Sequence, residues 1–355
     1  MTGPASRFAW AESGPEQLED GLFRIPLPLT GDPLRAVNAY LWQEEGGDLL
    51  VDCGWTEPSC FAALTQSLRR VGSGLDRVRL LFVTHVHGDH LGAADLIRQE
   101  GGAVVTLGLE ERESAELWAT DPGRSRERTR RRLASHGAKA VVQLLEEQAR
   151  RAPRDDPLSP LPDLYIGQGR LRLRARDLEV VATPGHTRGH LCLFDAGTGT
   201  LFAGDHVLPQ ITPSIGVEAP LPGRPLADFL DSLARVRDLP ARVVLPAHGP
   251  VFTDLAGRVD QLLEHHRSRL QLCLESVETG RQSAMAVAAA IPWTRRERRL
   301  SELDPFNQML AVNETAAHLD LLAERGELQR RMSNSLVEYY TVSRGSEPPR
   351  REMSR

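Results

Sequence analysis

Three histidines and one aspartate lie in the stretch Thr84-His85-Val86-His87-Gly88-Asp89-His90. Nothing else in the chain packs so many groups able to bind metal ions so tightly. The apolar run Val78 to Val83 predicts a strand buried on both faces, and His90 to Glu100 predicts a helix that Gly101 ends. We therefore place the stretch between the carboxyl end of a strand and the start of a helix, where sheet proteins commonly carry their sites.

The composition excludes several classes of protein. The chain has 355 residues, of which 41% are apolar and 26% charged, and its net charge is −5. These values predict an ordinary globular protein without a global attraction to nucleic acid or membrane. We find neither a signal peptide nor a long apolar stretch, and the four scattered cysteines form no C-x-x-C pair. We therefore expect a cytoplasmic protein with reduced thiols.

The pattern of an apolar strand followed by a turn with histidine or aspartate recurs three times. The later turns carry His186, Asp205 and His248, after strands predicted at Leu178 to Ala182, Thr200 to Ala203 and Arg242 to Leu245. If the four turns converge, seven groups able to bind metal ions meet at one place. His85 and His87 are two apart, so an extended chain presents both imidazoles on one side. Gly88 then lets Asp89 and His90 turn towards a second ion.

The chemistry of this set indicates two divalent metal ions. Imidazoles with a few carboxylates suit zinc, although iron and manganese accept similar ligands. Ions of this kind lower the pKa of bound water from about 15.7 towards roughly 7, which supplies a nucleophile at neutral pH.

Residues 109–165 differ in character from the rest of the chain. They are helical in composition, and residues 124–132 (RSRERTRRR) form the most basic run. We interpret the segment as a helical insertion that caps the site. Its arginines are either a solvated helix face or an arm that grips phosphates or an acidic substrate. Residues 151–163 form a proline-rich linker, and residues 207–225 form a proline-rich loop.

The motif series resembles that of the metallo-β-lactamase-fold hydrolases. It consists of T-H-x-H-x-D-H at 84–90, P-G-H-T at 184–187, G-D at 204–205 and A-H at 247–248, over roughly residues 20–255. The resemblance implies an α/β (α+β) fold, a four-layer αββα sandwich. It also implies one ion on His85, His87 and His186, a second on Asp89, His90 and His248, and Asp205 as the bridge. Asp52 would support the histidine loop, and His190 and His206 would lie behind the ligands or line the pocket.

The C-terminal segment resembles the winged-helix-like appendage of the lactamase-beta-like subgroup. Helices predicted at Ala284 to Ile291 and Gln308 to Arg325 precede two strands around Asn334. We therefore divide the chain into a 1–20 extension, a 21–255 catalytic domain, a 256–342 unit of one long helix plus the appendage, and a disordered tail at 343–355.

Three functions remain open. The first is a dinuclear hydrolase that directs a metal-bound hydroxide at a small ester, thioester or lactone, with Asp89 as the catalytic group that orients the water or accepts its proton. The second is a metal-dependent endoribonuclease, which the appendage and the basic run favour. The third is a mononuclear iron protein for oxygen chemistry or sensing, against which the seven groups argue. We expect a small-molecule substrate, with RNA as the alternative partner, no membrane, and a homodimer left open.

Overall fold

Two β-sheets lie face to face at the centre of the molecule, in a computed structural model that describes residues 8–151, 160–218, 223–294 and 296–342. Within these residues the strands of the first sheet follow the order β1 to β7. Their bounds are β1 Glu16–Glu19, β2 Leu22–Pro28, β3 Ala36–Trp42, β4 Asp48–Val51, β5 Val78–Phe82, β6 Val104–Gly108 and β7 Leu164–Ile166. Neighbours pair antiparallel from β1 to β4 and parallel from β4 to β7.

The second sheet has the order β12-β11-β10-β9-β8. Its strands are β8 Gly169–Arg172, β9 Asp177–Ala182, β10 Leu191–Asp195, β11 Thr200–Gly204 and β12 Val243–Pro246. Only β11 and β12 pair parallel, and the other neighbours pair antiparallel. A separate hairpin near the C-terminus consists of β13 Leu328–Ser333 and β14 Leu336–Thr341.

Helices cover the outer faces of both sheets. They are α1 Ala9–Glu12, α2 Pro58–Arg70, α3 Gly88–Leu91, α4 Ala94–Gly101, α5 Arg112–Thr120, α6 Pro122–Ser135, α7 Lys139–Arg151, α8 Pro225–Arg237, α9 Leu255–Glu278, α10 Ala284–Ala290 and α11 Pro305–Glu324. No helix among the described residues combines the length and apolar character needed to cross a membrane.

Three apolar clusters hold the layers together. The cluster between the sheets joins β3 to β11, where Phe202 packs against Tyr40 and Trp42 with ring centroids 5.6 Å apart in both pairs. A second cluster packs α2 and α4 on the first sheet, and a third packs α8 and α9 on the second. The four layers are therefore helix, sheet, sheet and helix, which confirms the predicted αββα sandwich.

The burial of β3 follows from its central position. Every residue from Ala36 to Trp42 is buried. Alternate side chains point to opposite faces of a strand, so Tyr40 and Trp42 enter the cluster between the sheets while Leu41 packs towards the helices. A strand covered on both faces has a nearly continuous apolar sequence. For this reason the bounds of β3 were predictable.

The helix predicted at His90 to Glu100 is wrong as a single element. The structure has α3 and α4 with a break at Gly92 and Ala93. The Ala93 amide donates to the carbonyl of Gly54 at 3.0 Å instead of bonding within a helix. A Cβ at Gly92 would lie 3.0 Å from that same carbonyl oxygen. The close approach of the Gly54 turn therefore interrupts the helix behind the histidine loop.

Two short strands lie in stretches that we predicted otherwise. β1 falls within the 1–20 extension and pairs with β2. β7 falls at the end of the 109–165 insertion and pairs with β6. Both are edge strands of three or four residues, too short for a pattern of alternation to emerge from the sequence. The linker at 151–163 lies mostly outside the described residues.

The insertion and the C-terminal segment share one apolar cluster with the second sheet. That cluster contains Leu133 of α6, Val141 of α7, Leu319 of α11 and Phe194 of β10. The helices and the hairpin predicted after residue 283 are present as α10, α11, β13 and β14. Their designation as a winged-helix-like domain stays a prediction, and the predicted tail at 343–355 lies outside the described residues. All four cysteines are buried and unpaired.

Candidate metal centre

An aspartate after β4 holds the histidine loop in place. Asp52 Oδ1 accepts a hydrogen bond from the Thr84 amide at 2.8 Å, and its Oδ2 accepts from the Thr84 hydroxyl at 2.9 Å. The same Oδ2 lies 2.8 Å from Nδ1 of His90. Asp52 itself has a φ of +57°, a left-handed conformation that costs free energy in a residue other than glycine. Its hydrogen bonds to the loop therefore stabilise a turn that the backbone alone would avoid.

Three imidazoles converge at the first candidate ion position. Nε2 of His85 lies 2.9 Å from Nδ1 of His87, which lies 3.1 Å from Nε2 of His186. Burial lowers the pKa of His87 to about 3 and that of His186 to about 4, and it holds the pKa of His85 well below its ordinary value. All three rings are therefore neutral near pH 7, and neutral imidazole is the form that binds a metal ion.

The turn that carries His186 is fixed by its neighbours. A Cβ at Gly185, where φ is +139°, would lie 2.4 Å from the Cα of Phe229 in α8, so only glycine fits there. Nδ1 of His186 donates to the carbonyl oxygen of Ser214 at 2.7 Å, which leaves Nε2 to face the other two histidines. The loop that carries Ser214 packs in turn against α11. The approach is close: a Cβ at Gly216 would lie 3.1 Å from the carbonyl oxygen of Asn313.

Two histidines and two aspartates converge at the second position. Nε2 of His248 lies 3.3 Å from Oδ2 of Asp89 and 3.4 Å from Oδ1 of Asp205. Nε2 of His90 lies 3.6 Å and 3.8 Å from the same two oxygens. The other oxygen of Asp205, Oδ2, lies 3.5 Å from Nε2 of His186. Asp205 thus presents one oxygen to each of the two groups.

The charges at this position are strongly coupled. Burial opposes the charged form of His90, but Asp89, Asp52 and Asp205 raise its pKa to about 10. Burial likewise opposes the carboxylate of Asp89, yet His90 and His248 lower its pKa below the ordinary range. An excess of carboxylate therefore surrounds these histidines, and a cation is the complement that such a site requires.

Three polar atoms at the second position lack hydrogen-bond partners among the described residues. His90 Nε2, His248 Nε2 and Asp205 Oδ1 are buried and make no hydrogen bond there. Leaving buried polar atoms unpaired is costly. The side chains converge on one another, and imidazole with carboxylate is the donor set of zinc sites. The residues present therefore fit divalent metal ions.

The other two histidines near the centre belong to neither group. His190 Nδ1 lies 2.7 Å from the Thr183 hydroxyl, and its Nε2 accepts the Asp205 amide at 3.1 Å. Both nitrogens are thus occupied, and the ring supports the main chain of Asp205. His206 is buried, its nitrogens make no hydrogen bond within the described residues, and its ring packs 5.2 Å from Phe229.

Several contacts around the centre were not predictable from sequence patterns. Trp118 of α5 stacks on the ring of His87, with centroids 6.1 Å apart and an interplanar angle of 13°. The Thr187 hydroxyl donates to the buried carboxyl group of Glu111, and Nδ1 of His248 donates to the carbonyl oxygen of Ala36 at 2.9 Å. Neither an isolated tryptophan or glutamate nor a main-chain carbonyl carries a signal in a single sequence. Only the fold brings them to the loop.

A two-sheet sandwich that gathers histidines and aspartates at the ends of its strands defines a metal-dependent hydrolase. The model of the metallo-beta-lactamase superfamily matches residues 32–248, more than half of the sequence. The chain therefore belongs to the metallo-beta-lactamase superfamily.

Relatives and a solved structure agree with this assignment. "Beta-lactamase-like protein 2 homolog" of Caenorhabditis elegans is 25% identical over 79% of this chain and 81% of its own length. "Probable metallo-hydrolase YqjP" of Bacillus subtilis (strain 168) is 23% identical over 90% and 97%, respectively. "Atrochrysone carboxyl ACP thioesterase" of Aspergillus fumigatus is 24% identical over 77% of this chain but 52% of its own length. A crystal structure of a metallo-beta-lactamase family protein from Thermus thermophilus is 30% identical, covers 92% of this chain and 100% of its own, and has a TM-score of 0.76.

Proposed function

We propose that the chain is a dinuclear zinc hydrolase of small esters, thioesters or lactones. In this proposal His85, His87 and His186 bind one ion, Asp89, His90 and His248 bind the other, and Asp205 bridges them. The observation that carries the proposal is the position of Asp205, whose two oxygens lie within 3.5 Å of His186 and of His248. One carboxylate placed between two histidine groups is what a two-ion centre requires.

The ions would lower the pKa of water and polarise the oxygen of the scissile carbonyl. The protein residues hold that chemistry in place. Asp52, Ser214 and Ala36 each accept a hydrogen bond from the outward nitrogen of a proposed ligand, namely His90, His186 and His248. Outward bonds of this kind fix the tautomer and direct the other nitrogen inward. Asp89 has the more exposed carboxylate of the two aspartates, and we assign it to orient the attacking water and accept its proton.

Two observations support a carbonyl substrate. One curated relative is named as a thioesterase. The half-buried ring of Trp118 stacks on His87, and it would offer an apolar surface to the acyl part of a substrate.

The basic run on α6 offers less to RNA than its composition suggests. Arg130 and Arg131 pair with Glu127 on the same helix, and Arg130 also pairs with Glu146. Arg132 donates to the carbonyl oxygens of residues 217 and 218. Much of the run therefore serves contacts within the protein, which favours a small-molecule substrate over the endoribonuclease alternative.

A panel of substrates tests the proposed reaction. We expect the zinc-loaded chain to hydrolyse aryl esters, acyl thioesters or lactones, and to leave a labelled single-stranded RNA intact. Removal of the ions with a chelator should abolish turnover, and zinc should restore it. RNA cleavage with every carbonyl substrate inert would refute the proposal and establish the alternative.

Substitution of the bridging residue tests the metal assignment. We expect Asp205→Ala to reduce bound zinc from two ions per chain to one or none and to lower kcat/KM by at least about 100-fold, since bridge and ligand are lost together. Metal analysis and kinetics give both values. Asp195→Ala is the matched control, because Asp195 is also a buried aspartate of the second sheet but pairs with Arg176 away from the centre. Two retained ions with full activity in Asp205→Ala would contradict the bridge.

A further inference from the structure

A second cluster of groups able to bind metal ions lies between α9 and α11. His265 and His266 belong to α9, and Glu314 belongs to α11. One ring nitrogen of each histidine and one carboxylate oxygen of Glu314 all lie within 4.8 Å of one another. His266 is fully buried, and the other two are half-buried. The catalytic centre and the family match end at residue 248, so this cluster belongs to neither.

A hydrogen-bonded chain sets the tautomer of His266. Nδ1 of His318 donates to the carbonyl oxygen of Glu314 at 2.7 Å, so Nε2 of the neutral His318 ring is an acceptor. Nδ1 of His266 lies 3.1 Å from that acceptor and therefore carries the proton of the bond. The remaining nitrogen, Nε2 of His266, then carries no proton and has a lone pair able to bind a cation. It is buried and has no hydrogen-bond partner among the described residues.

The arrangement repeats the pattern of the catalytic histidines. His186 and His248 each donate the outward proton to a carbonyl oxygen and keep the other nitrogen for the centre. His266 likewise donates its Nδ1 proton to a buried acceptor, Nε2 of His318, and keeps Nε2 without a proton. An acceptor behind the ring is the usual support of a metal-binding histidine, because it orients the ring and raises its basicity.

The charges suit an ion that binds less tightly than the catalytic pair. Burial lowers the pKa of His265 to about 4 and keeps that of His266 well below its ordinary value, so both rings are neutral near pH 7. The carboxylate of Glu314 makes no hydrogen bond or ion pair of its own within the described residues. Burial raises the pKa of the Glu314 carboxyl group, and Arg269 nearby offsets part of that shift by favouring the ionised form. Arg269 also disfavours a further cation, although its guanidinium donates to the Pro292 carbonyl and covers the Trp293 ring.

We propose that His265, His266 and Glu314 form an additional binding site for a divalent transition-metal ion of the zinc type. Two imidazoles and one carboxylate are a known donor set for zinc. The Phe229 ring contacts His266 at 5.5 Å and His206, which follows the proposed bridging residue, at 5.2 Å, measured between ring centroids. An ion bound here joins two helices that are distant in sequence, so its role is to stabilise the C-terminal part of the chain.

The count of zinc ions per chain tests the site. We expect the full chain, saturated with zinc, to bind one ion more than Glu314→Gln, whatever number the catalytic centre holds. Because the test depends on a difference of one zinc ion between the two chains, its outcome does not depend on whether the catalytic centre holds two ions. Glu264→Gln is the matched control, since Glu264 is an exposed glutamate on α9 beside the cluster that pairs with Arg267. It should bind as many ions as the unchanged chain.

Thermal unfolding supplies the second readout. Addition of zinc beyond the catalytic requirement should raise the Tm of the unchanged chain and of Glu264→Gln, but not that of Glu314→Gln. His265→Ala, a change at a half-buried position, should behave as Glu314→Gln does and covers the case in which that variant fails to fold. Equal zinc counts in the unchanged chain and both site variants would overturn the proposal.

Discussion

At the scale of the residue, Asp52 does more than its place in the sequence suggests. It makes hydrogen bonds to the amide and hydroxyl of Thr84 and to His90, and it does so from a left-handed backbone conformation. In this conformation Asp52 fixes the first residue of the histidine loop, Thr84, and also orients the ring of one proposed ligand, His90. The cost of the backbone conformation is offset by contacts that serve the metal centre.

Loss of the Asp52 carboxylate should therefore weaken metal binding. We expect Asp52→Ala to lower zinc affinity and kcat/KM by about 10- to 100-fold, as is typical when the partner of a metal-binding histidine is removed. Competition with a chromophoric chelator measures the affinity. Asp48→Ala is the control, because Asp48 is a buried aspartate of β4 whose partners are Ser73 and Arg77. If both variants retained the affinity of the unchanged chain, Asp52 would have no part in positioning His90.

At the scale of the element, strand ends carry the proposed ligands, and main-chain carbonyls of a loop and of β3 support two of them. The turns that carry the proposed ligands follow β5, β9, β11 and β12, and these strands were predictable because a buried strand and a polar, glycine-containing turn are both visible as patterns. The sequence could not predict that the carbonyl oxygens of Ser214 and Ala36 would accept hydrogen bonds from His186 and His248, since every residue has a carbonyl group. The break between α3 and α4 was missed for the same reason: its cause is the main chain of Gly54.

Trp118 of the insertion stacks on a proposed ligand, His87, and the loss of its ring should be measurable. We expect Trp118→Ala to raise KM for substrates with large apolar acyl groups by about tenfold and to change kcat less, because the variant loses apolar surface but no metal-binding group. Trp118→Phe, which keeps an aromatic ring, should lie near the unchanged chain. Equal KM values for short and long acyl groups in both variants would show that Trp118 does not contact substrate.

At the scale of the whole molecule, segments that look separate in the sequence share one core. Periodicity identifies the apolar face of a helix but not the surface that covers it. The helices of the insertion and of the C-terminal segment were predicted as helices on that ground. Their joint packing with the second sheet depends on contacts far apart in sequence, such as Leu133 with the cluster that includes Leu322 and Phe194. Domain limits drawn from the sequence remain a prediction.

The junction between the insertion and the C-terminal segment should be sensitive to acid. Burial, with Arg132 and Arg330 nearby, lowers the pKa of His136 to about 4. The unfolded chain has the ordinary value of about 6.5, so it binds a proton that the folded chain does not, and stability falls as the pH drops from 6.5 towards 4. We expect a loss of up to about 3 kcal/mol from this residue.

Denaturant unfolding at several pH values measures that loss. His136→Gln, which cannot be protonated, should show a shallower fall in the free energy of unfolding between pH 6.5 and 4 than the unchanged chain. Identical slopes would mean that the pKa of His136 is the same in the folded and the unfolded chain. The carbonyl oxygen of His136 accepts from the Met285 amide at 3.0 Å, and this bond is preserved in the variant.

The contact between Gly216 and α11 has a consequence for the order in which the site is made. A ribosome has produced all seven proposed ligands once it reaches residue 248. The loop that offers the Ser214 carbonyl to His186 nevertheless rests on Asn313 and Ala317, which belong to α11 at Pro305–Glu324. A nascent chain thus contains every ligand before one of them is held in position. On the proposed assignment, a metal ion delivered early in translation would meet an unfinished centre, and His186 would be held in position only after synthesis of the C-terminal helix.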